Sequence, residues 1–99
     1  MDALTWLQQW YRSQCDGEWE FRQGVKLLSV SNPGWCVEID VSNTVLENVL
    51  MAYRHQESTP DDWYGFKLQD GLFVGLGDPS KLEFLINAFK GLLEGKELP

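Results

Sequence analysis

Carboxylates set beside tryptophans are the residues of this chain best equipped to do chemistry. Trp19 lies within Asp16-Gly17-Glu18-Trp19-Glu20, Trp63 follows Asp61-Asp62, and Trp35 closes the Asn32-Pro33-Gly34-Trp35 turn. An indole offers a large rigid contact area at small entropic cost, while neighbouring carboxylates attract a cationic surface and repel an acidic one. Asp16, Glu18, Trp19, Glu20, Trp35, Asp61, Asp62 and Trp63 are therefore the candidate residues for gripping a basic protein. The competing use of an indole is burial, because a small domain needs its aromatic side chains inside.

Catalysis is weaker on the same residues. A thiolate at Cys15 is disfavoured by the adjacent Asp16, since a negative neighbour raises a thiol pKa. Glu18 with Glu20, or Asp61 with Asp62, could act as an acid and base pair, yet nothing beside them marks a sugar or phosphate subsite. His55 is the single histidine, and Cys15 and Cys36 form no Cys-x-x-Cys pair, so neither a zinc set nor a redox motif assembles. Gly75-Leu76-Gly77-Asp78-Pro79 lacks the third glycine of a phosphate loop and carries a repelling aspartate; it reads as a turn. No acidic loop has calcium-ligand spacing. The reading is a non-enzyme with no catalytic residue, no metal ligand and no cofactor. Its rival is a small stand-alone enzyme or ligand-binding domain using a sheet face near Trp63 and Phe73, where glycines would line a shallow track.

The scaffold must fit into 99 residues, enough for one compact domain spanning 1–99. Fifteen acidic against eight basic side chains give a net charge of -7, which disfavours phosphate backbones and anionic membranes as partners. Apolar runs fall far short of the roughly 20 residues that cross a bilayer, and no leader pattern opens the chain. A cytoplasmic protein with two reduced thiols is expected.

A helix is expected first: Asp2 can cap it, Leu4, Leu7, Tyr11 and Cys15 recur at helical spacing, and Gly17 is placed to end it. From Asp16 to Phe21 the apolar spacing becomes two, so an extended backbone would put Asp16, Glu18 and Glu20 on one side about 7 Å apart. Val25 to Ser31 and Trp35 to Val41 form a hairpin whose four-residue loop would pair Val30 with Val37 and Leu28 with Ile39. Trp63 to Leu68 and Leu72 to Leu76 form a second. A three-residue loop there pairs Leu68 with Leu72 and Phe66 with Val74, against a two-residue Asp-Gly loop pairing Phe66 with Gly75; apolar matching favours the former. Residues 45–56 fit both a strand and a helix, with the alternation of Val49, Met51, Tyr53 and His55 favouring a strand. Ser80 and Glu83 suggest a capping box before a helix with the stripe Leu82, Leu85, Ile86, Phe89 and Leu93. The sum is an α+β domain: N-terminal helix, antiparallel sheet of about four to five strands, C-terminal helix, both helices on one sheet face.

Trp6-Leu7, Trp10-Tyr11, Gln14-Cys15-Asp16-Gly17-Glu18-Trp19-Glu20, Gly24-Val25, Asn32-Pro33-Gly34-Trp35 and Val37-Glu38-Ile39-Asp40, continuing through Asp62-Trp63 and the Phe73–Gly77 run, resemble the immunity protein 53 family. That family often carries a histidine after the Trp-Glu pair, where this chain has Phe21. Its members are encoded beside toxins in bacterial polymorphic toxin systems, so the resemblance implies inhibitory binding of a cognate toxin; a monomer or weak homodimer is expected. Many such toxins are nucleases with basic active sites, which an acidic inhibitor with aromatic anchors would suit.

Overall fold

The computed structural model describes residues 1–22 and 24–99. Helix α1 (Ala3–Gln14) begins as its sequence dictates, with the Asp2 side chain accepting from the Thr5 amide at 2.7 Å. It ends at Cys15, two residues before Gly17, whose φ of +94° serves the following loop instead. The buried side of α1 is Ala3 and Leu7 with Trp6 and Trp10 against the core, whereas Leu4 and Tyr11 of the anticipated stripe are exposed.

Five antiparallel strands follow: β1 (Val25–Val30), β2 (Gly34–Asp40), β3 (Met51–Thr59), β4 (Asp62–Gln69) and β5 (Leu72–Gly77), in the order β1-β2-β5-β4-β3. Helix α2 (Leu82–Leu93) closes the chain, packing on β2 and β5 and against α1. The fold is the expected α+β arrangement with both helices on one sheet face. Val37, Ile39, Phe66, Leu68 and Phe73 point into that face and meet Leu85, Ile86 and Phe89 of α2. Between the helices runs an aromatic seam: Trp10 meets Phe89 at 5.0 Å and Trp19 at 5.7 Å between ring centroids, and Phe89 meets Phe73 at 5.0 Å.

Both hairpins adopt registers other than those that apolar matching selects. In the first, Val30 pairs with Gly34, Leu28 with Cys36 and Leu27 with Val37, around a loop of Ser31, Asn32 and Pro33. The slip is by an odd number, so Leu27 and Val25 turn inward and Leu28 turns outward. In the second, the two-residue Asp70-Gly71 turn prevails, both residues having positive φ, and Phe66 pairs with Gly75 and Leu68 with Phe73. A glycine opposite Phe66 makes room for its ring: a Cβ on Gly75 would sit 3.4 Å from that ring and 3.3 Å from Leu85. Counting apolar pairs undervalues such a fit.

Two further expectations are corrected. Residues 45–56 resolve into a turn-rich loop followed by β3, so the strand reading holds from Met51 onward. Ser80 does not cap α2; its amide and hydroxyl bind Asp78 at 2.8 and 2.6 Å, and Lys81 occupies the cap position.

Candidate partner-binding face

The eight candidate residues do not form one patch. Asp16, Glu18, Trp19 and Glu20 lie by the Asp40 end of β2, where the Trp19 indole N–H donates to the Asp40 carbonyl at 3.1 Å. Trp35, Asp61, Asp62 and Trp63 gather at its Gly34 end, since Trp35 pairs with Gly77 and Gly77 with Tyr64. Six strand steps, roughly 20 Å, separate the ends.

The first group is not extended. Trp19–Phe21 is a turn of 3-10 helix, and the carboxylates are used to close it. Asp16 accepts from the Glu18 and Trp19 amides at 2.9 and 3.0 Å, while Glu20 accepts from the Asp16 and Gly17 amides. The Trp19 and Glu18 amides hold the Asp16 carboxyl below its ordinary range. Trp19 itself is 2% exposed, sealed between Trp10, Tyr11 and the sheet, so it offers no contact area. Phe21, 82% exposed, is the aromatic this loop presents instead.

Trp35 also faces the helices, its indole N–H donating to the Pro79 carbonyl at 3.0 Å. Phe73 is fully buried on that same face, which removes it from any surface shared with Trp63. Trp63 alone of the three indoles belongs to the opposite face, which no helix covers among the described residues. Its ring crosses the end of β5 toward Gly34, where an added Cβ would meet it at 3.2 Å.

Around Trp63 the uncovered face is organised. His55 stacks on the indole at 5.7 Å and 25°. Its Nδ1 lies 3.1 Å from the Tyr53 hydroxyl and its Nε2 lies 3.2 Å from Glu57 Oε1. Tyr53 in turn lies across Gly65, where a Cβ would collide with its ring. Leu28, Cys36, Leu76 and Gly65 occupy successive strands in one row, so an apolar stripe runs from β1 to the Tyr53–His55–Trp63 cluster. Charges of both signs border it: Glu38 lies between Lys26 and Lys67 in the next row of the sheet, while at the β3–β4 end the rim is acidic, with Glu57, Asp61 and Asp62. An apolar centre with a charged rim is the anatomy of a protein interface.

An ionic knot centred on a buried carboxylate fixes that end of the sheet. Asp78, 1% exposed, accepts from the Trp63 amide at 3.0 Å, from Ser80 and from Lys81 Nζ at 2.6 Å; Lys81 also holds Asp62 at 2.6 Å. Burial alone would raise the Asp78 carboxyl, but these bonds outweigh it and keep the carboxyl far below its ordinary value of 3.8. Lys81 is raised by Asp62 and Asp78 together.

Tyr53, His55 and Glu57 are the residues that the sequence reading missed. Their alternation was the available signal, and what it lacked was the neighbour: Trp63 sits directly across the β3–β4 ladder from Glu57. The cluster could relay a proton, but Tyr53, His55 and Glu57 are all exposed to water.

Fold and surface together describe a small acidic α+β protein with one sheet face packed against two helices and the other uncovered by any helix among the described residues. The profile of the immunity protein 53 family matches residues 4–94, and the chain belongs to that family. Neither a curated protein nor a solved structure matches it. Family membership assigns the chain an immunity function.

Proposed function

We propose that the chain neutralises a cognate toxin by direct, non-catalytic binding in the cytoplasm, docking the toxin on the uncovered sheet face around Trp63. The observation that carries this reading is the cluster of Tyr53, His55 and Trp63, His55 stacked on the indole and hydrogen-bonded to Tyr53, on an uncovered face whose β3–β4 end is rimmed by Glu57, Asp61 and Asp62. Trp63 is the anchor, held from behind by Asp78, and the rim carboxylates meet basic side chains of the toxin. A net charge of -7 fits a basic effector such as a nuclease, whose substrate-binding cleft an acidic protein can occupy. Asp16, Glu18 and Glu20, at the other end of β2, add to the long-range field, with Phe21 as a secondary contact.

The test is calorimetric titration with the toxin encoded beside this gene. Trp63→Ala is expected to weaken binding by at least ~30-fold, the equivalent of about 2 kcal/mol, with the circular dichroism spectrum unchanged. Wild-type affinity in that variant would remove Trp63 from the interface.

A further inference from the structure

Strand β3 differs from every other strand in what surrounds it. It is nine residues long, and every residue after Met51 is exposed, on both sheet faces. Among the described residues it pairs with β4 alone, leaving its outer backbone edge without a strand. Its sequence, MAYRHQEST, contains neither the lysine nor the proline that commonly blunts an edge. Register shifts interrupt it between Met51 and Arg54 and between Glu57 and Thr59, but Arg54 to Glu57 pair regularly with Phe66 to Trp63. The C-terminal tail comes near the start of the strand, where Met51, Ala52 and Arg54 share a hollow with Lys96 and Leu98. The opposite edge is shorter and backed: β1 has six residues, carries Lys26, and lies beside α1 along Leu4, Leu7 and Tyr11.

We infer that the free edge of β3 pairs with an extended segment of the toxin, adding a sixth strand to the sheet. Backbone donors and acceptors along Arg54–Glu57 supply the pairing, and alternate side chains supply selectivity. On the uncovered face the added strand runs beside Tyr53, His55 and Glu57 and so continues the surface centred on Trp63. Glu57, with Asp61 and Asp62 beyond it, selects a lysine or arginine at that end of the incoming strand. A second copy of this chain is the poorer occupant, because each copy brings a net charge of -7.

This inference rests on the toxin-binding reading, and residue-resolved amide exchange by NMR separates the two. With the intact chain and the neighbouring toxin, alternate amides within Arg54–Glu57 that exchange freely in the unbound protein are expected to slow by at least ~tenfold on binding. Amides of β5, already paired on both sides, are expected to change little. Toxin binding that requires Trp63 but leaves all Arg54–Glu57 amides unchanged would overturn edge pairing and leave face docking intact. Slowed amides in the free chain, with a doubled mass by light scattering, would give the edge to a second copy and also overturn it. Absence of toxin binding would overturn both readings.

Discussion

At the scale of single residues, chemical type was a good guide to importance and a poor guide to role. Trp19 attracts notice because carboxylates flank it, yet those carboxylates cap loop amides and its indole ties α1 to the end of β2. A carboxylate two or three residues from a tryptophan can accept local amides as readily as it can face a partner, and sequence does not distinguish the two. Trp19→Ala is therefore expected to cost about 3–5 kcal/mol of stability in urea denaturation while the folded fraction keeps its toxin affinity. In the sequence Asp78 marks only a turn, although it is the most densely bonded carboxylate described. Its folded pKa lies below the unfolded value, so it contributes stability above roughly pH 4 that is lost as pH falls further. Asp78→Asn should lose about 3 kcal/mol at neutral pH. It should also flatten the decline of the urea midpoint as pH falls below about 4. A decline as steep as that of the wild type would assign the acid sensitivity to other carboxylates.

At the scale of elements, the positions of helices and strands were legible because periodicity is local, whereas registers were not, because they depend on what glycines admit. Gly75 gives Phe66 its place, and Gly34 and Gly65 do the same for Trp63 and Tyr53 on the other face. Pairing rules score a glycine as an absent contact, but opposite or beneath an aromatic ring it is the space the ring needs. Each change of register moves side chains between faces, and in the second hairpin it separates Phe73 from Trp63. Gly65→Ala tests the point, since its Cβ would displace the Tyr53 ring and with it the bond to His55. The variant is expected to bind toxin about tenfold more weakly. Its thermal midpoint should fall by only a few degrees, the equivalent of about 1 kcal/mol. Unchanged affinity would show that the Tyr53–His55 arrangement is not recognised.

At the scale of the whole molecule, net charge and size were fixed by composition, and the layered fold follows from two amphipathic helices and one sheet. What composition could not reveal is the asymmetry: both helices take one face, so the other is left to the solvent or to a partner. The molecule is elongated, 42 by 26 by 25 Å, with acids at both ends of β2. Such a charge distribution acts before contact. Raising sodium chloride from about 50 to 500 mM should slow association with a basic toxin on the order of tenfold, with a smaller effect on dissociation, measurable by stopped-flow intrinsic tryptophan fluorescence. A salt-independent association rate would assign recognition to shape alone.

Cys36 sits in the middle of the uncovered row, between Leu28 and Leu76 and 3.7 Å from Glu38. Burial, reinforced by Glu38, pushes its thiol up to about 11, so at neutral pH the reactive thiolate is on the order of one molecule in ten thousand. A group so reluctant to ionise is expected to react slowly with oxidants and alkylating reagents at neutral pH. Its alkylation rate should climb steeply in alkali, as the thiolate population grows.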